Sequence, residues 1–344
     1  MSKNPKSKIK NQKKIKTAVV GVGYMGQHHA RIYAEIPNSQ LVAIADLNEQ
    51  AGIEMASKYK AKYYNDFKDM VEKEKPDAVS VSTPTAYHAP ITIWLLQKGI
   101  NVLLEKPIAS DIFEAAQIVA ADRDSSGKLM VGHIEWFNPV IIKIVDLIKE
   151  GKFGEIRALE AERLNPYPQG RDDAVGIIND LGTHDIHYLR KIALLIGKKP
   201  NGIFAVGGTS GLIPNKKENY AHIVFDIDDI AITCSTSWIY PFKKRVLHVV
   251  GDKGTAVCDL ELKKIEFFPA NSRSYKVNSL PYDYVAPDMY TIGVQREEPL
   301  RLEIKAFLDS VSKGSEIPIS SEEAFEVLKI AKDATEKVNG RSDE

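Results

Sequence analysis

The ten residues TAVVGVGYMG, Thr17 to Gly26, decide the fold. Thr17 to Val20 form a short apolar run, and a helical pattern opens at Gln27, directly after the glycines. Gly21, Gly23 and Gly26, with Tyr24 and Met25 between the last two, make a G-x-G-x-x-G turn where a strand meets a helix. Such a triplet alone says little, because glycines collect in many tight turns. Its setting says more: Asp46 closes the next apolar run, LVAIAD, about twenty residues further on, as a dinucleotide fingerprint requires. The glycines let the chain turn and let its backbone approach a diphosphate, which meets amide N–H groups and the positive end of a helix. Asp46 is placed to accept hydrogen bonds from the adenosine ribose hydroxyls. With an anion at 46 and no Arg in the following Leu47-Asn48, a ribose phosphate is repelled, which favours NAD over NADP.

Outward from that turn, apolar runs alternate with helical patterns as far as residue 135. The runs TAVVGVG, LVAIAD, AVSVST, NVLLEK and LMVGHI are separated by segments at Gln27 to Ile36, Asn48 to Lys60, Phe67 to Lys75, His88 to Lys98 and Asp111 to Ser125. Continuous runs of this kind suit parallel strands covered on both faces, an α/β doubly wound domain. Ligands of such sheets bind beyond the carboxyl ends of the strands, so two further strand ends are expected to face the cofactor. One is Thr83-Pro84, with His88 starting the next helix, although Thr and Pro are also ordinary loop residues. The other is Glu105-Lys106-Pro107, where a Lys at a strand terminus, followed by Pro, is a poor choice for a merely solvated charge. His28 and His29, in the first helix, read as surface or packing residues.

A chain of 344 residues exceeds one ordinary core, so two domains are expected. Lys plus Arg and Asp plus Glu both number 46, so no net field draws nucleic acid, and no apolar run is long enough to span a bilayer. The first sixteen residues carry seven lysines and read as a disordered, solvated arm without the apolar centre of a signal peptide. Cys234 and Cys258 lack metal-ligand spacing, so no metal is expected and the chain reads as cytoplasmic and reduced. The expected boundaries are the arm over 1–15, an NAD-binding domain over 16–135 and a substrate-binding domain over 136–340. In the last, Ala221 to Ile227 and Ile230 to Trp238 alternate and meet at Asp228-Asp229, and Lys244 to Leu260 turns at Gly251 to Gly254, giving two hairpins. DLGTHDIH, Asp180 to His187, opens an apolar helical pattern through Ile186, Leu189, Ile192 and Leu195. Asp180 and His184, at i and i+4, share one helix face; this suits proton transfer, and equally an N-terminal cap followed by a packed His.

Gly21 to Gly26, Thr83-Pro84 to His88, Glu105-Lys106-Pro107 and Asp180 to His184 occur in the order and approximate spacing of the glucose-fructose oxidoreductase/inositol dehydrogenase/rhizopine catabolism family. The chain resembles that family from near Lys16 to near Val338. Within it, GHIEWFNP at Gly132 to Pro139, GIINDLGTHDIH and EEPLRLEIKAFL at Glu297 to Leu308 are similar to the branch that oxidises carbon 3 of UDP-N-acetylglucosamine or its uronic acid. Two positions depart from the pattern: Trp136 stands where relatives often carry Arg, and His187 where they often carry an acid.

The resemblance implies an α+β second domain with an open, mostly antiparallel sheet, one face of which builds a homodimer or homotetramer. It implies an NAD-dependent oxidoreductase acting on a sugar nucleotide, with the glycine turn, Tyr24, Met25, Asp46, Thr83, Pro84, His88, Glu105 and Lys106 on the cofactor. His184 then takes the proton of a sugar hydroxyl, Lys106 hydrogen-bonds the same hydroxyl, and Asp180 orients them. Arg163, Tyr167 and Arg171 are expected as a substrate rim suited to a diphosphate or uronic carboxylate, against the alternative of a surface loop whose arginines pair with Asp172 and Asp173. His133 and His187 either approach the site or pack. Two other functions stay open: an inositol or free-sugar dehydrogenase, and a non-catalytic dinucleotide-binding sensor or scaffold.

Overall fold

Every residue of the runs AVSV and LMVG is buried, so these strands must be covered on both faces. They belong to a parallel sheet of β1 (Ile15–Val20), β2 (Ser39–Ala45), β3 (Lys62–Tyr64), β4 (Ala78–Val81), β5 (Asn101–Glu105) and β6 (Leu129–Gly132). The strand order is β3-β2-β1-β4-β5-β6, with α1 (Tyr24–Glu35), α2 (Glu49–Tyr59), α3 (Phe67–Glu74), α4 (His88–Gln97) and α5 (Ile112–Asp124) as the connections. Reversal of the order beside β1 and β4 makes the crevice at their carboxyl ends the natural ligand position. The computed structural model describes residues 14–168, 175–213, 217–270 and 288–340. Ile15, expected as the last residue of the arm, is instead a buried residue that starts β1.

The chain divides into two units, Met1–Gly132 with Ile304–Ser321, and His133–Glu303 with Glu322–Glu344. The stretch 304–321, expected in the second domain, therefore belongs to the first. Its main chain is tied there: Lys128 Nζ donates to the carbonyls of Ser310 and Ser315 at 3.0 and 2.5 Å, and Val131 N–H donates to Ile319 O at 3.2 Å. It contains most of α8 (Pro299–Lys313), an amphipathic helix whose sequence does not say which core it serves.

The second unit holds β7 (Ile156–Pro166), β8 (Gly202–Gly208), β9 (Tyr220–Asp226), β10 (Ala231–Ser237), β11 (Ile239–Gly251), β12 (Gly254–Asp259), β13 (Lys264–Pro269) and β14 (Tyr290–Ile292). The order is β14-β13-β12-β11-β7-β10-β9-β8, and among the described residues every pairing except β7 with β10 is antiparallel. Both expected hairpins form, β9 with β10 and β11 with β12. Strand alternation buries Ile203, Ala205, Ala221, Ile223 and Phe225 in one core with α6 (Pro139–Lys149), α7 (Thr183–Leu195) and α9 (Ser321–Asn339). Their neighbours Phe204, Val206 and Val224 stand exposed on the other face.

That core contains a charged cluster. Arg163, on β7, is 1% exposed; its Nε and Nη2 donate to the two oxygens of Asp185 at 2.8 Å each, and its Nη1 donates to Glu135 Oε1 at 3.2 Å. Arg245 Nη1 donates to the same Glu135 oxygen at 3.1 Å. The expectation that Arg163 lines a substrate rim is corrected: its fork is consumed inside the unit, because residue 163 falls on the inward side of the alternation Leu159, Ala161, Arg163. Burial alone would push the Glu135 carboxyl up, but the Arg163 and Arg245 charges outweigh it and hold the group below its ordinary value.

Removing one partner of a buried pair strands the other, so Arg163→Ala is expected to lower the unfolding free energy by about 3–5 kcal/mol in a denaturant titration. Glu135, with its folded value depressed, contributes stability that is complete above the ordinary value of 4.5 and is lost as pH falls through the folded value. The melting temperature of wild type should therefore fall more steeply below pH 4.5 than that of Glu135→Gln.

Candidate active site

In the first unit the glycines of the opening turn divide into two kinds. Gly21 has φ +84°, and a Cβ there would lie 2.9 Å from backbone atoms of Ser82 and Thr83, so it joins the ends of β1 and β4. A Cβ on Gly26 would lie 1.8 Å from Gly21 O. Gly23 differs: nothing lies within 4 Å of a Cβ built on it, and its φ of −64° is open to any residue. The space before Gly23, at the start of α1 where no side chain caps the helix, fits a diphosphate. Asp46 is fixed beside it, Oδ2 accepting from Val22 N–H and Oδ1 from Asn48 N–H, both at 2.7 Å. Each oxygen keeps a further lone pair for a ribose hydroxyl. Tyr24 is exposed and Met25 half-buried at the same turn.

Two residues expected on the cofactor are turned inward. His88 is 1% exposed, with Nδ1 2.8 Å from Pro107 O and Nε2 3.0 Å from Thr83 O, so it cross-links the loops after β4 and β5. Burial lowers its basicity more than the two carbonyls raise it. The ring thus shapes the Thr83-Pro84 and Lys106-Pro107 loops through their main chain. Glu105 is buried, its Oε1 2.9 Å from His29 Nε2, and Lys106 stands one residue on, half-buried at the carboxyl end of β5. His29, read from the sequence as surface or packing, is fully buried and hydrogen-bonded.

In the second unit, Asp180 lies in a π-helical turn, Ile178–Gly182, that runs straight into α7, where a plain α-helix was expected. Wide turns of this kind concentrate at functional sites. Apolar periodicity does not register this one, because it precedes Ile186, where the apolar helical pattern begins. Asp180 is nearly buried and His184 half-buried, while Asp185 points inward to Arg163. His187 faces α9: its Nε2 lies 2.7 Å from Glu323 Oε1, and Lys191 Nζ donates to the other oxygen at 2.6 Å. His133 stacks on His187 at 4.3 Å between centroids, and Trp136 meets His187 edge-on at 6.1 Å. The two departures, Trp136 and His187, therefore touch each other, and packing is the role observed for His133 and His187.

Tyr167 is half-buried and edge-on to Trp238 at 5.6 Å. Arg171 lies outside the described residues, as do Asp172 and Asp173. Among the described residues no group of three His, Cys, Asp or Glu side chains could hold a metal, and no helix is long and apolar enough to cross a membrane.

Comparison with known proteins matches residues 15–133 to the oxidoreductase family with an NAD-binding Rossmann fold, and residues 141–257 to the GFO/IDH/MocA C-terminal domain. A UDP-N-acetylglucosamine 3-dehydrogenase from Acidithiobacillus ferrooxidans is 34% identical over 194 residues, which are 56% of this chain and 58% of that relative. An inositol 2-dehydrogenase from Rhizobium meliloti is 25% identical over 342 residues, covering 94% of this chain and 97% of the relative. The solved structure of the Acidithiobacillus ferrooxidans enzyme superposes with a TM-score of 0.81 at 24% identity, over 96% of this chain and 99% of that one, a likeness of fold.

The split among the glycines predicts different fates for two substitutions. Gly23→Val should melt like wild type yet bind NAD at least tenfold more weakly in a fluorescence titration, because its side chain enters the space of the diphosphate. Gly26→Val should fail to fold normally. Asp46→Ser should weaken NAD binding and narrow the gap to NADP in the same titration.

Proposed function

Because the chain belongs to the GFO/IDH/MocA oxidoreductase family, with an NAD-binding Rossmann unit, we propose that it is an NAD-dependent dehydrogenase that oxidises a secondary sugar hydroxyl to a ketone. The substrate proposed is a sugar nucleotide, oxidised at carbon 3 of UDP-N-acetylglucosamine or its uronic acid. One observation carries the reading: Lys106 stands at the strand edge that carries the cofactor-binding turns, and the second unit presents Asp180 and His184 on a π-to-α helical segment. A pure binding module has no use for both a base and an ammonium group.

Bound NAD supplies the acceptor for the hydride that leaves the sugar carbon. His184 takes the hydroxyl proton on an imidazole nitrogen, since a histidine titrates near working pH. Lys106 donates a hydrogen bond to the same oxygen and stabilises the negative charge that grows on it. Asp180 offsets the positive charge of the protonated base. Half-buried Tyr167, braced edge-on by the buried Trp238, offers one ring for stacking a sugar or uracil. The relative's dehydrogenase activity at carbon 3 supports the nucleotide sugar; the inositol dehydrogenase among the relatives supports a free polyol as the second reading. Exposed Phe204, Val206 and Val224 support assembly into a homodimer or homotetramer through the open sheet face, and the buried thiols Cys234 and Cys258 suit a reducing cytoplasm.

A panel of UDP-sugars, free sugars and inositols, followed by NADH absorbance, tests the substrate; turnover confined to free polyols rejects the sugar nucleotide. With the best substrate, Lys106→Ala and His184→Asn should each cut kcat by roughly a hundredfold while NAD binding changes little. Near-normal turnover by His184→Asn would remove it from the base role.

A further inference from the structure

Beneath the Lys106 strand end lies a set of buried polar groups for which the proposed chemistry has no use. His29, Tyr33 and Ser80 are fully buried and Glu105 is 7% exposed. Ser80 Oγ lies 2.8 Å from the Tyr33 hydroxyl and 2.9 Å from His29 Nδ1; His29 Nε2 lies 2.9 Å from Glu105 Oε1; and Glu105 Oε2 accepts the Lys106 backbone N–H at 3.2 Å.

Counting donors gives these contacts a direction. A carboxylate only accepts, so His29 Nε2 carries the proton that points at Glu105. With one ring proton, Nδ1 accepts from the Ser80 O–H, which leaves the Ser80 oxygen to accept from the Tyr33 O–H. This arrangement satisfies every contact, and it ends with both Glu105 oxygens occupied, one by His29 and one by Lys106. Apolar side chains would fill the same space without the desolvation penalty of four polar groups, so what the network adds is orientation.

We propose that His29 is a positioning residue for Lys106. Its Nε2–H fixes the Glu105 carboxylate, and the carboxylate fixes the main chain from which the lysine side chain departs. The role in catalysis rests on the reading of Lys106 given above, but the positioning itself is measurable without substrate.

The test compares His29→Asn with His29→Gln. A Gln amide reaches where Nε2–H stands and can replace the donor to Glu105, whereas an Asn amide reaches only the position of Nδ1. In hydrogen exchange followed by NMR, the Lys106 amide should exchange roughly tenfold faster in His29→Asn and return towards the wild-type rate in His29→Gln, while the Leu103 and Leu104 amides keep theirs. With a turned-over substrate, His29→Asn should lose roughly tenfold in kcat with little change in the KM for NAD. An unchanged Lys106 amide in His29→Asn, or equal acceleration in both variants, overturns the proposal. If the His29 variants do not fold, Glu105→Gln, which removes the charge at constant volume, is expected to free the same amide; failure to do so overturns it equally. Absence of turnover by wild type on every sugar and polyol would overturn the proposed function and leave the exchange result standing by itself.

Discussion

Arg163 and Asp185 hold each other through two parallel bonds of 2.8 Å in the interior of the second unit, and α7 takes its rotation from that grip. A helix turns about 100° per residue, so fixing one side chain inward fixes the bearing of all the others. With Asp185 on the core side, His184 comes out half-buried at the helix flank, Tyr188 follows Asp185 inward, and His187 meets Glu323 on α9. Glu135 extends the grip to the segment after β6, and Arg245 extends it to β11. Apolar residues could pack the same volume at lower desolvation cost, but they would not specify a bearing, since a sliding interface of leucines tolerates several. The planar fork tolerates one.

The first unit was legible from residue 17 onward because parallel strands and the helices between them announce themselves with different periods, and Asp46 supplied an independent check on the glycines. The hairpins of the second unit were legible for the same reason, alternation. What stayed hidden were partnerships across sequence. Nothing local links Arg163 to Asp185, twenty-two residues away, or His29 to Glu105, seventy-six residues away. One signal was present: in LEAERLN, Arg163 falls at an inward position of the alternation, and a charge at such a position requires a buried counter-charge. The π turn was hidden because it precedes Ile186, where the apolar helical pattern begins. Glu105 and His88 were expected on the cofactor and both turn inward, because residue type alone does not say whether a polar group faces a ligand or its own chain.

Trp136 and His187 illustrate how a family pattern can change in two places at once. Each looked like a change in what the protein binds. In the fold they are neighbours, beside the ion pair of Lys191 and Glu323, with Lys191 Nζ lying 4.9 Å over the Trp136 ring. Burial keeps His187 less basic than usual despite Glu323, which suits a flat ring stacked on His133. The two residues share one interior contact.

The return of residues 304–321 to the first unit has a consequence for how the protein is made. A ribosome releases the six parallel strands in the first 132 residues, but β6 then waits for Ile319 to cover the N–H of Val131, and Lys128 waits for the carbonyls of Ser310 and Ser315. At usual translation speeds the intervening 189 residues, 321 less 132, take about 10 to 40 s to emerge. Throughout that interval the nascent chain carries a nearly finished nucleotide-binding sheet with one strand incompletely covered, and residues 133–303 of the second unit are synthesised before the first can close. Early binding of dinucleotide to the emerging chain, or a chaperone at that edge, would shorten the exposure of a surface that the finished molecule never shows.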